Sequence, residues 1–297
     1  MNSGEKVKHG ALWSVLFAVV SLAWIFPIVL VIINSFKQKA YISRNAFSLP
    51  TGKAFVGLEN YTRGLDTTNF FASFGWTLLI TVGSVALILV CTSMCAWWIV
   101  RVNNWAAKLL YTLFLFNMIV PFQMVMFTLS KLADMLKLNT PWGLCFVYLG
   151  FGAGLAVFIF TGVVKGIPES LEESAMIDGA NDFTIFTRII SPLCKPVYAT
   201  VALFVAVGQW NSWFDAMLYN RMNTQYTTLQ YELMKLLSSV MQQSGSATTG
   251  GNTATAAVTP VTVRSAATVV TMLPIILLYP FLQRYFVSGM TIGSVKE

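Results

Sequence analysis

The chain has 297 residues, of which 56% are apolar and 10% are charged, and its mean hydropathy is +0.67. Because soluble domains carry roughly a quarter of their residues as charged side chains, this composition excludes a water-soluble globular protein and favours a bilayer as solvent. The formal net charge of +7 comes from dispersed basic residues without interleaved aromatic residues, so no nucleic-acid partner is expected.

Six apolar stretches are long enough to cross a hydrocarbon core, which takes about 20 helical residues. We therefore predict an all-α integral membrane protein with one transmembrane domain over residues 1–297. The predicted spans are 11–35, 73–100, 109–130, 141–164, 189–213 and 265–286. Proline predicts a kink within the first, third and sixth spans, at Pro27, Pro121, Pro274 and Pro280.

The predicted spans contain almost no ionisable side chains, since Lys195, near one end of the fifth, and Arg284, near one end of the sixth, are the only Asp, Glu, Lys, Arg or His residues in them. Transporters driven by protons or sodium ions place such groups at mid-membrane depth. Enzymes need a reactive carboxylate pair or nucleophile, and ATP binding by a phosphate loop needs G-x-x-x-x-G-K-[ST], which is absent. We expect no enzyme activity here, and uphill transport would draw its energy from another subunit.

Two patterns that resemble ligand sites are better explained by helix packing. Cys91 and Cys95 share a helix face, but no His or carboxylate lies near them in sequence to complete a metal site, so none is predicted. The run from Gly150 to Gly154 (Gly-Phe-Gly-Ala-Gly) lies within a span without basic neighbours, which indicates close helix packing rather than phosphate binding.

The segment 166–188 differs from the rest of the chain because it holds five of the twelve acidic residues. Pro168 suits a first helical turn, Gly179 can end a helix with positive φ, and Asn181 can cap the next one. This pattern predicts two short amphipathic helices joined by a glycine turn at the membrane surface. From the physical pattern alone, an ordinary interfacial loop is the simplest interpretation.

The same segment resembles the cytoplasmic "EAA" loop of ABC import permeases. The matching residues are Glu173-Ser174-Ala175, then Gly179, then Ile189-x-x-Pro192. Two longer segments are similar to the smaller permease of maltose-type carbohydrate importers. The first begins at Ile167 and has the sequence Ile-Pro-x-x-Leu-Glu-Glu-x-Ala-x-Ile-Asp-Gly-Ala, and the second is the C-terminal segment from Gln283 to Lys296. Phe55-x-Gly-Leu-x-Asn-Tyr61 also suits this branch.

Two features depart from the maltose-type pattern. Ser174 replaces the first alanine of the motif, a small-for-small exchange. The Ser/Thr/Gly-rich run 244–255 resembles the branch that imports oligosaccharides from polysaccharide breakdown. The resemblance therefore leaves the sugar and its chain length open.

The resemblance implies a type I importer permease fold in a bacterial cytoplasmic membrane. The implied partners are a second, different permease, a dimer of ATPase subunits, an extracytoplasmic solute-binding protein and a sugar. ATP and Mg²⁺ would be used by the ATPases, with no cofactor bound by this chain. Lys and Arg counts in the loops do not orient the chain, but a cytoplasmic EAA loop would place both termini in the cytoplasm.

The resemblance also implies which residues couple the permease to its ATPases. Glu173 and Asp178 would make polar contacts, and Gly179 would form the turn that permits close approach. The remaining small residues would give a close-packing surface, and two glycines of the tail could reach the same interface: Ser174, Ala175, Ala180, Gly289 and Gly293.

Polar and aromatic residues within or near the spans are candidates for the substrate path. The amides could bond sugar hydroxyls and the indole could stack on a sugar ring, although hydrogen bonding between helices explains the amides equally well. The candidates are Asn117, Gln123, Gln209, Trp210 and Asn211. Two other interpretations stay open: the same machinery carrying a non-sugar solute, and a membrane scaffold without transport activity.

Overall fold

The computed structural model describes residues 10–219, 226–245 and 260–294. The regular structure of these ranges is helical, and the β pairing within them is one isolated antiparallel bridge between Lys37 and Phe55. The helices are α1 (Gly10–Ser35), α2 (Lys39–Arg44), α3 (Glu59–Thr67), α4 (Phe70–Val102), α5 (Trp105–Ile119), α6 (Phe122–Met135), α7 (Pro141–Val164), α8 (Ser170–Ile177), α9 (Asp182–Ile185), α10 (Ser191–Leu193), α11 (Lys195–Trp210), α12 (Phe214–Tyr219), α13 (Leu229–Gly245) and α14 (Pro260–Ser294).

Three helices in the described ranges are long and apolar enough to cross a membrane unaided: α1, α4 and α7. Two further candidates are bent pairs, α5 with α6 and the segment Asp182–Leu193 with α11, which brings the number to five if each pair is one span. Within α14, Thr262–Leu277 is a shorter apolar stretch. The predicted count of six spans stays a prediction.

The third predicted span, 109–130, differs from the structure because the chain turns by 108° between α5 and α6. Pro121 lacks a backbone N–H and disfavours the helical conformation of the residue before it. Val120 is accordingly extended, with φ −73° and ψ 116°, so α5 ends at Ile119 and α6 begins at Phe122. Helices continue through Pro27, Pro274 and Pro280, so only Pro121 breaks its helix.

The fifth predicted span, 189–213, is also bent, by 76° at Cys194. Cys194 has φ −84° and ψ 3°, and Pro196 occupies the first turn of α11, where its missing N–H needs no helical partner. A π-helical turn, Phe186–Ile190, precedes the bend. The second half of this span is therefore α11, which ends at Trp210.

The chain divides into two compact units, the first formed by the described residues of Met1–Phe70 and Leu233–Leu273. Its core contains Leu236, Val263 and Ala267. Lys37 is fully buried in this unit, where Nζ donates to Asn34 Oδ1 at 3.0 Å and to the carbonyl of Ala46 at 3.0 Å. These bonds satisfy the buried ammonium and fix the segment that follows α1.

The second unit comprises the described residues of Phe71–Glu232 and Pro274–Glu297, and its largest core joins α4, α7 and α11. Small residues let these helices approach closely. A Cβ added to Gly152 would lie 2.7 Å from Ile88 Cδ1, and one added to Gly154 would lie 2.7 Å from the carbonyl oxygen of Phe114 in α5. The prediction that the glycine run 150–154 serves helix packing is confirmed at Gly152 and Gly154.

Candidate functional site

The first short helix of the segment 166–188, α8, ends in a glycine cap. Gly179 has φ +81°, its N–H donates to the carbonyl of Met176 at 3.0 Å, and the N–H of Ala180 donates to that of Ala175 at 2.9 Å. These are the two hydrogen bonds of a Schellman motif, which needs a residue in the left-handed region. The predicted glycine turn is confirmed.

The second short helix, α9, begins at the residue predicted to cap it. Asn181 is extended, and its Oδ1 accepts a hydrogen bond from the N–H of Thr184 at 2.8 Å. One exposed loop therefore contains a helix end and a helix start that are each satisfied by local groups. Such a loop keeps its shape without a partner and can present a fixed surface.

The exposed surface of α8 mixes acidic and apolar side chains. Glu173 and Asp178 are exposed, and Ile177 between them is 87% exposed. Ser174 is also exposed, and its Oγ donates to the carbonyl of Ser170 at 2.7 Å. We call these four residues, together with exposed Met176 and Gly179, the docking face. Met176 and Ile177 are adjacent exposed apolar side chains rimmed by polar ones, and a contiguous apolar patch of this kind indicates an interaction surface.

Two of the small residues predicted to pack against an ATPase are less exposed than the docking face. Ala175 and Ala180 are half-buried and pack against the core of the second unit. The structure therefore brings Glu173, Ser174 and Asp178 onto the exposed face and turns the two alanines inward. Gly289 and Gly293 lie near the end of α14, where the described structure gives only the backbone course, so their role stays a prediction.

Sequence reasoning missed the residue that fastens α8 to the rest of the unit. Glu172 is only 4% exposed, and its Oε1 accepts from Arg101 Nε at 2.7 Å and lies 2.5 Å from Arg101 Nη2. Its Oε2 accepts from Trp97 Nε1 at 3.0 Å. Arg101 Nη2 also donates to the carbonyl of Ile167 at 3.1 Å. We call Trp97, Arg101 and Glu172 the clasp.

The clasp joins the C-terminal end of α4 to the buried side of α8. Charge-assisted hydrogen bonds from an arginine fork are short and directional. The pair is largely removed from water, so it resists screening by salt. The clasp therefore connects the helix that presents the docking face directly to α4, one of the three long apolar helices.

A cavity of about 380 Å³ lies among α6, α7, α11 and α12. Its polar edge is formed by Gln209, Ser212 and Asp215, where Ser212 Oγ donates to Asp215 Oδ2 at 2.6 Å. Burial raises the pKa of the Asp215 carboxyl above its ordinary value, and the hydrogen bond from Ser212 acts in the opposite direction. The rest of the described lining is apolar or aromatic: Phe122, Tyr148, Phe151, Gly152, Leu155, Phe204, Val205 and Gly208.

The structure does not bring the five predicted substrate-path residues into one site. Gln209 lines the cavity just described and accepts a hydrogen bond from Ser84 Oγ, whereas Asn117 lines a separate cavity of about 560 Å³. Trp210 is buried and packs edge-to-face on Phe74 with 5.8 Å between ring centroids. It borders a third cavity, of about 340 Å³, whose described lining does not include Gln209.

The remaining two path candidates are exposed. Gln123 lies on α6, and Asn211 Nδ2 donates to the carbonyl of Val207 at 2.9 Å, which closes the C-terminal end of α11. The sequence did not single out Ser212 and Asp215. Ser212 lies just inside the end of the fifth predicted span and Asp215 lies two positions beyond it, and their hydroxyl and acidic side chains near a helix end were the available signal.

The family profile described as "Binding-protein-dependent transport system inner membrane component" matches residues 88–292. This range includes the clasp, the docking face and the cavity. The chain belongs to this family.

Curated relatives match the chain over nearly its whole length. A probable starch degradation products transport system permease protein of Thermoanaerobacterium thermosulfurigenes is 33% identical over 94% of both chains. A polygalacturonan/rhamnogalacturonan transport system permease protein of Bacillus subtilis is 30% identical and covers 93% of this chain and 94% of its own.

A solved structure shows the same fold. One chain of a bacterial ABC transporter involved in the import of the acidic polysaccharide alginate matches with a TM-score of 0.77 and 24% identity, covering 96% of this chain and 99% of that one. The predicted all-α import-permease fold and the multi-pass membrane location are confirmed. The chain is thus a membrane component of a transport system, not an enzyme, and its family implies a binding protein and ATPase subunits as partners.

Proposed function

We propose that this chain is one permease subunit of an ATP-driven importer and forms half of the path for a sugar or oligosaccharide. Relatives that align along the full chain are named for the transport of starch products and of pectin-type polysaccharides. The observation that carries the coupling role is the docking face, because a pre-formed, exposed and partly apolar helix end is what a cleft on an ATPase can hold.

The proposed assembly contains a second, different permease, two ATPase subunits and an extracytoplasmic binding protein that delivers the sugar. ATP and Mg²⁺ bind to the ATPases, and this chain binds neither. The docking face lies on the cytoplasmic side, which places both termini in the cytoplasm. Glu173 and Asp178 make polar contacts at the ATPase surface, while Ile177 fills an apolar pocket there.

Coupling in this proposal is mechanical. When the ATPases close on ATP, they carry α8 with them, and the clasp passes that movement to α4 through Glu172 and Arg101. The buried ion pair suits this role because its geometry is fixed by several hydrogen bonds rather than by one. The permease halves then rock between inward-open and outward-open states.

The test compares two glycines with the same backbone requirement. Gly179 and Gly52 both have positive φ (+81° and +54°), and an added Cβ at either meets nothing within 4 Å. Gly179→Asp and Gly52→Asp therefore impose similar local strain, but only the first places a charged side chain on the docking face. Gly52 lies in the segment that the proposal assigns to the outer side.

The reconstituted complex with its binding protein is assayed for bound ATPase and for sugar-stimulated ATP turnover. We expect Gly179→Asp to lower both the amount of bound ATPase and the sugar-stimulated ATP turnover about ten-fold or more, since the loss of a binding contact of about 1.4 kcal/mol has this effect. Gly52→Asp should bind the ATPase as wild type does. Equal ATPase binding by the two variants would show that α8 is not the coupling element.

A further inference from the structure

The cavity at Asp215 lies where two helical segments are interrupted. Phe122, which opens α6 directly after the break at Pro121, lines one side. On the other side α11 ends at Trp210 and α12 begins at Phe214, and Ser212 in the connection lines the cavity. In membrane proteins, interrupted helices are tolerated where they are buried in protein or line a water-filled cavity, and transporter binding sites are built from them.

The cavity offers the two kinds of surface that a sugar ring needs. The Asp215 carboxylate is an acceptor for sugar hydroxyls, and the Gln209 side-chain NH2 group is a donor. The Gln209 oxygen already accepts from Ser84 but keeps a second lone pair, while the Ser212 hydroxyl hydrogen is donated to Asp215. The same lining includes Phe122 and Phe151, which are packed edge-to-face with 5.0 Å between ring centroids and offer an aromatic contact to the apolar face of a sugar ring.

The charge of the lining is the decisive observation. Asp215 is the single acidic residue of the described lining, and that lining contains no Lys, Arg or His. A bound carboxylated sugar would place a second negative charge close to Asp215 in a partly desolvated site, where like charges repel strongly. A neutral sugar meets no such repulsion and gains a charge-assisted hydrogen bond.

We propose that this cavity is a subsite for an uncharged sugar ring, and that Asp215 selects neutral oligosaccharides against those made of uronic acids. This inference rests on the proposed function and deepens it. The relatives named above include permeases named for starch products, which are neutral, and for polygalacturonan, which is acidic. The Asp215 carboxylate favours the neutral substrates for this chain.

The test uses the complete complex in proteoliposomes and measures binding to the permeases directly. A photoreactive maltotriose probe labels the chain in the absence of the binding protein, whose own preference would otherwise dominate. Free neutral trisaccharides (maltotriose and arabinotriose) and acidic trigalacturonate then compete with the probe. The chain variants are wild type, Asp215→Asn, Asp215→Lys and, as a control, Asp134→Asn, which changes an exposed carboxylate of α6 outside the cavity.

For wild type we expect a neutral trisaccharide to compete at least ten-fold better than trigalacturonate. Asp215→Asn should weaken competition by the neutral trisaccharide roughly ten-fold, because a hydrogen bond to a charged group is lost. Neutral and acidic trisaccharides should then compete about equally well. Asp215→Lys should reverse the preference, and Asp134→Asn should behave as wild type. Labelling should map to peptides of α7, α11 or α12.

Binding-protein-stimulated ATP turnover, measured on the same vesicles, separates the two possible failures. If wild type shows no stimulated turnover with any sugar, the proposed function fails, and this inference fails with it. If wild type is stimulated but Asp215→Asn keeps the wild-type preference, or no neutral trisaccharide competes better than trigalacturonate, the neutral-sugar subsite alone is overturned.

Discussion

The docking face and the Asp215 cavity differ in how much of the chain each one needs. The loop that presents the docking face is closed by hydrogen bonds between residues three to five positions apart, at Gly179, Ala180 and Asn181. The cavity takes residues from four helices that span positions 122–215. The first can form from local sequence, whereas the second exists only after the helices have packed.

The two regions also treat their carboxylates differently. Glu172 beneath the docking face is enclosed by an arginine and a tryptophan, which satisfy both of its oxygens. Asp215 is held by one hydrogen bond from Ser212 within the described contacts and lines open space. A fully satisfied buried charge fixes structure, while a partly satisfied one beside a cavity is available to a ligand.

The largest expected effect concerns the buried ion pair that joins the loop to α4. Glu172→Gln removes the charge that pairs with Arg101, whose side chain is 15% exposed. Breaking a buried pair by removing one partner costs about 3–5 kcal/mol. We expect a large fall in the Tm of the permease complex and faster amide hydrogen exchange across α8 and α9.

Glu169→Gln is the matched control, because Glu169 contacts the same arginine at 3.6 Å but has a side chain that is 66% exposed. Exposed pairs contribute about 0–1 kcal/mol, so this variant should resemble wild type. If Glu172→Gln and Glu169→Gln lose equal stability, the clasp does not anchor α8, and the local helix caps alone hold the loop in place.

A smaller effect is expected where helix packing shapes the second unit. Gly154→Ala would place a methyl group 2.7 Å from the backbone carbonyl oxygen of Phe114, which cannot rotate away. Overpacking of this kind costs about 1–3 kcal/mol. Gly150→Ala lies one turn away in the same helix and meets nothing within 4 Å, so it should be neutral or gain up to about 1 kcal/mol from helix propensity.

Thermal unfolding of the two variants in the same detergent checks this contrast. A loss of stability at position 154 with none at position 150 would support the close approach of α5 and α7. A similar response at both positions would mean that α5 can move away from α7.

The same contrast explains which features the sequence could predict. Gly179 and Asn181 were identifiable because helix caps depend on residue types within a few positions of each other. Glu172 and Glu173 are adjacent and chemically identical, so only the position of α4 decides that the first is buried and the second exposed. Local reasoning assigned the contact role to Glu173 and had no means of finding the clasp.

The interrupted helices show a second limit of the sequence. Pro121 predicts a kink, but a proline sets only the loss of one hydrogen bond and the conformation of its neighbour. Whether the chain then bends slightly or turns by 108° depends on the packing of α6, which periodicity does not encode. Helix packing also decides which residues share the cavity. Gln209 was therefore predicted as a path residue from its side chain alone, while its cavity partners Ser212 and Asp215 were not predicted.

The smallest expected effect is on thermal stability, and it tests whether the Asp215 carboxylate lowers the stability of the folded protein. Its folded-state pKa is raised by burial, so the folded state binds a proton more tightly than the unfolded state and stability falls as pH rises through the raised pKa. Above that raised pKa, the ionised carboxylate therefore opposes folding. Asp215→Asn should raise the Tm slightly near pH 7, and this advantage should disappear as the pH falls below the ordinary range of an aspartate.

Asp134→Asn, scanned over the same pH range, controls for the loss of a carboxylate at an exposed position. If Asp215→Asn is more stable than wild type but discriminates less between neutral and acidic sugars, the Asp215 carboxylate serves substrate selection rather than stability. If Asp215→Asn is instead less stable than wild type at neutral pH, the carboxylate is structural like that of Glu172, and the contrast between the two regions disappears.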